Sequence, residues 1–297
     1  MWESLSERIS QGEVGALARC ISLVENEVSG YEAFLESLPG RTTPIIGITG
    51  PPGAGKSTLT DALIGSLVST GKKVAVLCID PSSPFHLGAL LGDRIRMSRW
   101  YDHESVFIRS LASRGSLGGL NPRIIEVADV LKLAGFDYII VETVGVGQSE
   151  IEIAGLADVT IVTIVPEAGD EIQTMKSGLM EIADMFVVNK ADRPGADAFV
   201  KNLRLMLAPA YSNHQQEIRV FKTVATTAEG VEDVLTEADH LLQTQTANER
   251  HAWLMAERAW QLILKKRMND IDKKDLKDKI AAAGDSFNLY RFIREFS

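Results

Sequence analysis

A phosphate-binding pattern, ITGPPGAGKSTLTDALI, runs from Ile48 to Ile64. It fits G-x-x-x-x-G-K-[ST], opening at Gly50 and closing with Lys56 and Ser57. Backbone N–H groups of such a turn, and the N-terminus of the helix after it, attract phosphate oxygens. The lysine would neutralise the β- and γ-phosphates, and the serine hydroxyl would hold Mg²⁺. The residues predicted to bind nucleotide here are Gly50, Gly53, Ala54, Gly55, Lys56, Ser57 and Thr58.

A second pattern, Asn-Lys-x-Asp, closes the apolar run FVVNKAD. The Asp192 carboxylate can accept hydrogen bonds from guanine N1–H and from its exocyclic amine together, and adenine lacks this pair of donors. Asn189 would hold the base-binding loop, and the Lys190 stem would lie along the purine. The pattern predicts GTP as the ligand, with a surface turn as the alternative. A second base-contacting loop is predicted at Val224–Gly230, through Val224, Ala225 and Thr226.

Acidic residues and a glycine-containing loop follow two other apolar runs. Glu142 could hold the Mg²⁺ hydration shell, Gly145 could offer its N–H to the γ-phosphate, and Gln148 could orient a water. Asp80 ends the run VAVLCID, where it would bind the metal or a water, with capping of a turn as the alternative. Asp93 would bind the metal or a water too, with capping of a helix as its alternative. The predicted catalytic residues are Lys56, Asp80, Asp93, Glu142 and Gln148, and the predicted metal-binding residues are Ser57, Asp80, Asp93 and Glu142.

Alternating strands and helices would position these residues. The strand-like runs are PIIGIT, KVAVLCI, SVFIRS, FDYIIVE, VTIVTIV, MFVVNK and IRVFKTV. They are almost continuously apolar, as expected for strands that are covered on both faces. Helical patterns separate them, which predicts an α/β fold with a doubly wound, mostly parallel sheet of the P-loop NTPase type.

Helical segments flank the predicted sheet. Residues 1–40 form a predicted N-terminal helical extension, 41–245 the nucleotide-binding domain, and 246–297 a C-terminal helical arm. On the arm, the apolar side chains of one helical face pack either on the domain itself or on another subunit. These side chains belong to Trp253, Ala256, Trp260 and Ile263.

Composition narrows the functional classes. The 297 residues carry a net charge of −9, which argues against a dedicated nucleic-acid binder. No apolar run is long enough to predict a membrane span, and the N-terminus lacks the apolar core of a secretory signal. Cys20 and Cys78 are far apart and belong to no metal-binding pattern, so a reducing cytoplasm is the predicted location.

Five runs together resemble the MeaB/ArgK-type GTPases, the chaperones of methylmalonyl-CoA mutase and related adenosylcobalamin-dependent acyl-CoA mutases. The runs are GPPGAGKST, IDPSSP…GALLGDRIRM, SRGSLGGL, AGFDYIIVETVGVGQSE and ADMFVVNKAD. VETVGVGQSE is far more specific than a phosphate-binding loop alone. The resemblance also places the chain near the metal-insertion GTPases of hydrogenase and urease maturation.

The resemblance implies a homodimeric GTPase, joined through the C-terminal arm, that uses GTP, GDP and Mg²⁺. It would gate adenosylcobalamin delivery to a partner acyl-CoA mutase and protect or reactivate that mutase, with an adenosyltransferase as a further partner and no membrane or nucleic acid. Gly145–Gln148 would form the second switch. Asp170–Lys176, typical by itself of a capped surface helix, would become a third switch that couples nucleotide state to the partner.

Three other functions stay open. A kinase would transfer phosphate to a protein or a small molecule, although Asn-Lys-x-Asp disfavours ATP. A nickel-insertion GTPase would usually carry a His-rich stretch or a Cys/His pair, which this sequence lacks near its N-terminus. A scaffold would bind GTP without turning it over.

Overall fold

The computed structural model describes residues 1–40, 43–80, 97–113, 120–145, 151–167, 179–207, 218–244, 249–268, 271, 273–283 and 287–294. The chain divides into two compact units, Met1–His251 and Ala252–Ser297. Within the described ranges, no helix combines the length and the apolar character that crossing a membrane requires.

A seven-stranded parallel sheet runs through the first unit, in the order β3-β2-β4-β1-β5-β6-β7. All seven predicted runs form strands of this sheet, which confirms the doubly wound α/β fold. Four strands are buried along their whole length because both faces are covered. The strands are β1 (Ile45–Thr49), β2 (Val74–Asp80), β3 (Val106–Ala112), β4 (Tyr138–Glu142), β5 (Val159–Ile164), β6 (Met185–Asn189) and β7 (Arg219–Thr223).

Helices cover both faces of the sheet. On one face, Ile46 and Ile48 of β1 share an apolar cluster with the helices at 56–69 and 231–244. Gly47 points to the other face, where an added Cβ would lie 2.6 Å from Ile153 Cγ1. The helices are α1 (Trp2–Ser10), α2 (Val14–Glu25), α3 (Tyr31–Glu36), α4 (Lys56–Ser69), α5 (Ile124–Leu133), α6 (Ile151–Leu156), α7 (Leu179–Ile182), α8 (Ala196–Leu207) and α9 (Val231–Thr244).

The N-terminal segment is helical, as the sequence predicts, but it turns twice. Gly12 and Gly30 have φ values of 85° and 88°, a conformation that glycine adopts without a steric penalty. These turns fold α2 and α3 onto α5. Five apolar residues at helical spacings along these helices are buried: Leu5, Ile9, Leu17, Ile21 and Val24.

The second unit is helical. It holds most of α10 (Glu249–Arg267), together with α11 (Lys273–Ala283) and α12 (Leu289–Ile293). Asn288 caps α12, because its side-chain oxygen accepts a hydrogen bond from the Arg291 N–H at 3.0 Å. Phe287 and Phe292 contact each other edge to face, with ring centroids 5.7 Å apart.

Candidate nucleotide-binding site

The phosphate-binding turn joins β1 to α4 and needs glycine at two of its positions. Gly50 has a φ of 135°, and an added Cβ would clash with the Thr163 carbonyl oxygen. Gly55 has a φ of 88°, and an added Cβ would clash with Asn189 Nδ2. α4 begins directly after Gly55, at Lys56. Its first-turn N–H groups have no carbonyl partners within the helix, so they are donors suited to a phosphate.

Lys56 lies across this turn and is buried. Its Nζ donates to the carbonyl oxygens of Gly50 at 2.8 Å and of Pro51 at 3.2 Å. The predicted γ-phosphate donor, Gly145, lies directly against it: a Cβ at Gly145 would clash with Lys56 Nζ and would lie 2.6 Å from Gly50 O. The structure therefore places Gly145, the first residue of the second predicted switch, against Lys56.

Of the predicted metal-binding residues, Ser57 and Glu142 contact each other at the carboxyl ends of the strands, and Asp80 ends the strand beside Glu142. Ser57 Oγ donates to Glu142 Oε1 at 2.6 Å, and Thr60 Oγ1 donates to Glu142 Oε2 at 3.0 Å. The register of β2 and β4 pairs Cys78 with Glu142, so Asp80 ends the neighbouring strand two residues further on. Asp80 and Glu142 are 4% and 3% exposed. Hydroxyl and carboxylate oxygens are the ligands that Mg²⁺ prefers, so this set of donors fits the ion.

Asn189 ties three segments together at the end of β6. Its Nδ2 donates to Ala54 O in the phosphate-binding turn at 3.1 Å. Its Oδ1 accepts hydrogen bonds from Thr223 Oγ1 at 3.1 Å and from the Ala225 N–H at 3.2 Å. The residue is 2% exposed, so its amide is largely enclosed in these contacts and supports the three segments from inside. The role that the sequence predicts for Asn189, holding the base-binding loop, stays a prediction that this geometry suits.

A cavity of about 200 Å³ lies beside this support. The Lys190 Nζ donates to Gly53 O at 2.8 Å and so closes one wall of it. Asp192 is exposed at the cavity, as a residue that reads a base edge must be. The cavity is lined by Gly55, Thr58, Asn189, Lys190, Asp192, Arg193, Val224, Ala225 and Thr226. All the residues predicted to contact the base, from both loops, therefore line one cavity.

Sequence reasoning missed two residues of this region. Arg193 lines the cavity and pairs with Glu167 at 2.6 Å, and this hydrogen bond lowers the pKa of the Glu167 carboxyl. Thr60 contacts Glu142 from α4. A signal for Thr60 was present, because it follows Ser57 by three residues and so shares its helix face.

Other predicted residues lie elsewhere or outside the described ranges. Asp93, Gln148 and the Asp170–Lys176 stretch fall among residues that the structure does not describe. Arg109 of β3 contacts the N-terminal helices. It donates to Ser22 Oγ at 2.9 Å and pairs with Glu25 at 3.0 Å, so it fastens the N-terminal helices to β3.

A parallel sheet, a glycine turn leading into a helix, and a cavity formed by Asn-Lys-x-Asp define a P-loop GTPase. Comparison with known proteins gives the family. Residues 17–281 match the model of the methylmalonyl-CoA mutase-associated GTPase MeaB, and the chain belongs to this family. The predicted family and the predicted GTPase activity are thereby confirmed.

Individual relatives agree with the family match. A protein of Pyrococcus horikoshii is 47% identical over 237 residues, which cover 78% of this chain and 75% of that protein. The GTPase ArgK of Escherichia coli is 44% identical over 191 residues, covering 62% of this chain and 58% of ArgK. The fused isobutyryl-CoA mutase of Geobacillus kaustophilus is 33% identical over 256 residues, covering 82% of this chain and 24% of the fused protein.

Solved structures also resemble this chain over most of its length. The crystal structure of a LAO/AO transport system kinase superposes with a TM-score of 0.68 at 27% identity, covering 99% of this chain and 95% of that one. The hydrogenase maturation factor HypB from Archaeoglobus fulgidus has a TM-score of 0.51 at 20% identity, covering 76% of this chain and 99% of HypB, and shares the fold.

Proposed function

We propose that this GTPase is a chaperone that gates adenosylcobalamin delivery to a partner acyl-CoA mutase and protects or reactivates that mutase. The observation that carries the proposal is the relative in which a region like this chain is part of a fused isobutyryl-CoA mutase. Fusion in one polypeptide keeps a region like this chain close to a mutase, which supports a mutase as the partner of this chain. The family description, a GTPase associated with methylmalonyl-CoA mutase, points to the same class of partner.

In the proposed reaction, water attacks the γ-phosphorus of GTP in line with the leaving β-phosphate oxygen. Lys56 exchanges its two backbone carbonyl acceptors for β- and γ-phosphate oxygens. Ser57, Asp80 and Glu142 would hold Mg²⁺, which supplies positive charge against the charge developing on the phosphate oxygens. Gly145, which lies against Lys56, would sense the γ-phosphate through its N–H. Asp93 and Gln148 keep their predicted roles as proposals.

The loops proposed to contact the γ-phosphate would change conformation between the GTP and GDP forms, and the mutase would bind these loops. Gly145 starts one of them, and Glu167 precedes the proposed third switch at Asp170–Lys176. Arg193 links that point to the base cavity through its ion pair with Glu167. Because coupling between two binding sites is reciprocal, a mutase that prefers one nucleotide form must also change nucleotide affinity.

The second unit is proposed as the dimerisation arm. Its α10 exposes large apolar side chains, with Trp253 78% exposed and Trp260 59% exposed. Exposed apolar surface of this kind typically marks a contact with another protein. An adenosyltransferase is a further proposed partner. A cytoplasmic location is proposed because Cys20 and Cys78 are both free thiols.

The test is GTP hydrolysis with and without adenosylcobalamin-dependent acyl-CoA mutases, including isobutyryl-CoA and methylmalonyl-CoA mutase. We expect one mutase to raise the rate with GTP and none to raise it with ATP. The same mutase should bind the GTP and GDP forms with affinities that differ about 5- to 150-fold. Ser57→Ala, which removes a proposed magnesium ligand, is the inactive control. A protein whose rate and affinity respond to no mutase contradicts the chaperone proposal.

A kinase is the second candidate, because the solved relative at 27% identity is described as a transport system kinase. Labelled GTP separates the two activities by their products, since a GTPase releases free phosphate and a kinase labels an acceptor. A nickel carrier has less support. In the described part of the chain, no group of three or more His, Cys, Asp or Glu residues is arranged to hold a metal ion.

A further inference from the structure

Thr60 contacts the same carboxylate as the predicted magnesium-binding serine. Ser57 Oγ donates to one oxygen of Glu142 at 2.6 Å, and Thr60 Oγ1 donates to the other at 3.0 Å. The two hydroxyls come from one face of α4, since residues three apart on a helix are neighbours. Thr60 is 0% exposed, so its hydroxyl has no access to water in place of this contact.

We propose that Thr60 is a positioning residue for the magnesium site. It fixes the rotation of the Glu142 carboxylate, so that Oε1 keeps the hydrogen of the Ser57 hydroxyl. The lone pairs of Ser57 Oγ are then left for the cation. This inference rests on the proposed magnesium roles of Ser57 and Glu142 and adds a residue that holds them in place.

Hydrogen-bond energetics support this role. A buried carboxylate is costly unless its oxygens are hydrogen-bonded. The Thr60 hydroxyl has one hydrogen and two nearby acceptors, Glu142 Oε2 at 3.0 Å and Lys56 O at 3.0 Å. A carboxylate is the stronger acceptor because its hydrogen bonds are charge-assisted. We therefore assign the hydrogen to Glu142, with the Lys56 carbonyl as the alternative acceptor.

Packing alone does not require a hydroxyl at position 60. Valine has the same branched shape as threonine and would fill the same buried space, but it cannot donate a hydrogen bond. Residues that orient metal ligands from outside the coordination sphere typically contribute 10- to 100-fold to metal affinity. Loss of the Thr60 hydroxyl should therefore weaken magnesium binding more than it weakens nucleotide binding.

The test measures dissociation of methylanthraniloyl-labelled GDP as Mg²⁺ is titrated, which needs no catalytic turnover. Thr60→Val should raise the half-saturating Mg²⁺ concentration about tenfold. Its affinity for labelled GDP in EDTA should equal that of the unaltered protein, and Thr60→Ser should restore the Mg²⁺ response. Thr160→Val is the matched control, because Thr160 is 1% exposed and its hydroxyl has no hydrogen-bond partner in the described structure.

The outcomes separate this inference from the proposed function. Thr60→Ala is a second variant that removes the hydroxyl without adding bulk, in case valine impairs folding. If both variants respond to Mg²⁺ as the unaltered protein does, the positioning role is wrong. It is also wrong if GDP affinity in EDTA falls as much as the Mg²⁺ response. If Mg²⁺ does not change GDP dissociation from the unaltered protein, the proposed magnesium site is itself wrong.

Discussion

The two edges of the sheet use polar side chains in different ways. At the carboxyl ends of the strands (the carboxyl edge), polar groups surround the proposed nucleotide site, and the acceptors of Lys56 are ones that a bound phosphate chain can replace. Lys56 bonds to loop carbonyls, and Ser57 and Thr60 bond to the Glu142 carboxylate. A phosphate chain offers Lys56 acceptor oxygens of the same kind, whereas the hydroxyls of Ser57 and Thr60 would keep the Glu142 carboxylate in place for the cation.

At the amino edge, three aspartates serve the backbone. Each side chain accepts the N–H of a residue at the start of a strand, at 2.7–2.8 Å. The pairs are Asp137 with Lys73, Asp158 with Ile45, and Asp184 with Thr160. Arg250 of the first unit donates to Ile182 O at 3.0 Å, shortly before the start of β6.

This difference in hydrogen-bond partners separates the residues proposed to bind the nucleotide from the residues that stabilise the fold. Each of the three aspartates accepts the N–H of a residue at the start of a strand and so stabilises the fold. A ligand would gain nothing by displacing that N–H. Lys56, whose acceptors here are carbonyl oxygens of the phosphate-binding turn, can exchange them for phosphate oxygens. Substitutions at the two edges should therefore affect different measured quantities.

The largest expected effect is on Lys56. Lys56→Ala removes the cation that would stabilise charge on the phosphate oxygens, and kcat for GTP should fall about 10²- to 10³-fold. Lys72→Ala, at the amino edge, removes a partly exposed ion pair with Asp137 and should leave kcat unchanged. Steady-state phosphate release measures both. Equal losses in the two variants would contradict the division between the edges.

Asp192→Asn should change the choice of base. The amide no longer accepts two hydrogen bonds from guanine, and a charged hydrogen bond contributes about 1.5–3 kcal/mol, so GTP affinity should fall roughly 10- to 150-fold. The asparagine amide can donate to the 2-oxo group of xanthine, so affinity for XTP should rise. Competition binding with GTP, XTP and ATP tests this. If the variant keeps its preference for GTP, Asp192 does not read the base.

Asp184→Ala should lower stability and spare binding. It removes the acceptor of the Thr160 N–H at the start of β5, and the expected loss is about 1–3 kcal/mol in the free energy of unfolding. Urea denaturation measures the loss, and the KM for GTP should not change. A large rise in KM with unchanged stability would show that the amino edge also serves the nucleotide.

The smallest expected effect depends on pH. Burial, and then a hydrogen bond to Asp239 at 2.7 Å, raise the pKa of Tyr138 to about 12. The folded state holds this proton more tightly than the unfolded state, so the contribution is full below about pH 10 and is lost as pH rises toward 12. Tyr138→Phe should remove that part of the alkaline slope. Urea midpoints at pH 8 and 10.5 measure it, and an unchanged slope contradicts the assignment.

Local patterns predicted much of this molecule, because neighbouring residues determine them. The sequence alone predicts the seven strands, the turn at Gly50–Gly55 and the Asn-Lys-x-Asp loop. The contact between Thr60 and Glu142 was not, because it joins residues that are distant in sequence and depends on how α4 lies over β4. The ion pair between Arg109 of β3 and Glu25 of α2 likewise joins residues that are distant in sequence.

The measurement that tests the central claim most directly is calorimetric titration of the protein with GDP and with ADP in the presence of Mg²⁺. If the carboxyl edge is a Mg²⁺-dependent guanine-nucleotide site, GDP should bind at one site per chain and ADP should not bind measurably. Chelating the Mg²⁺ should weaken the GDP signal. Equal binding of GDP and ADP, or binding that is indifferent to Mg²⁺, would contradict the account.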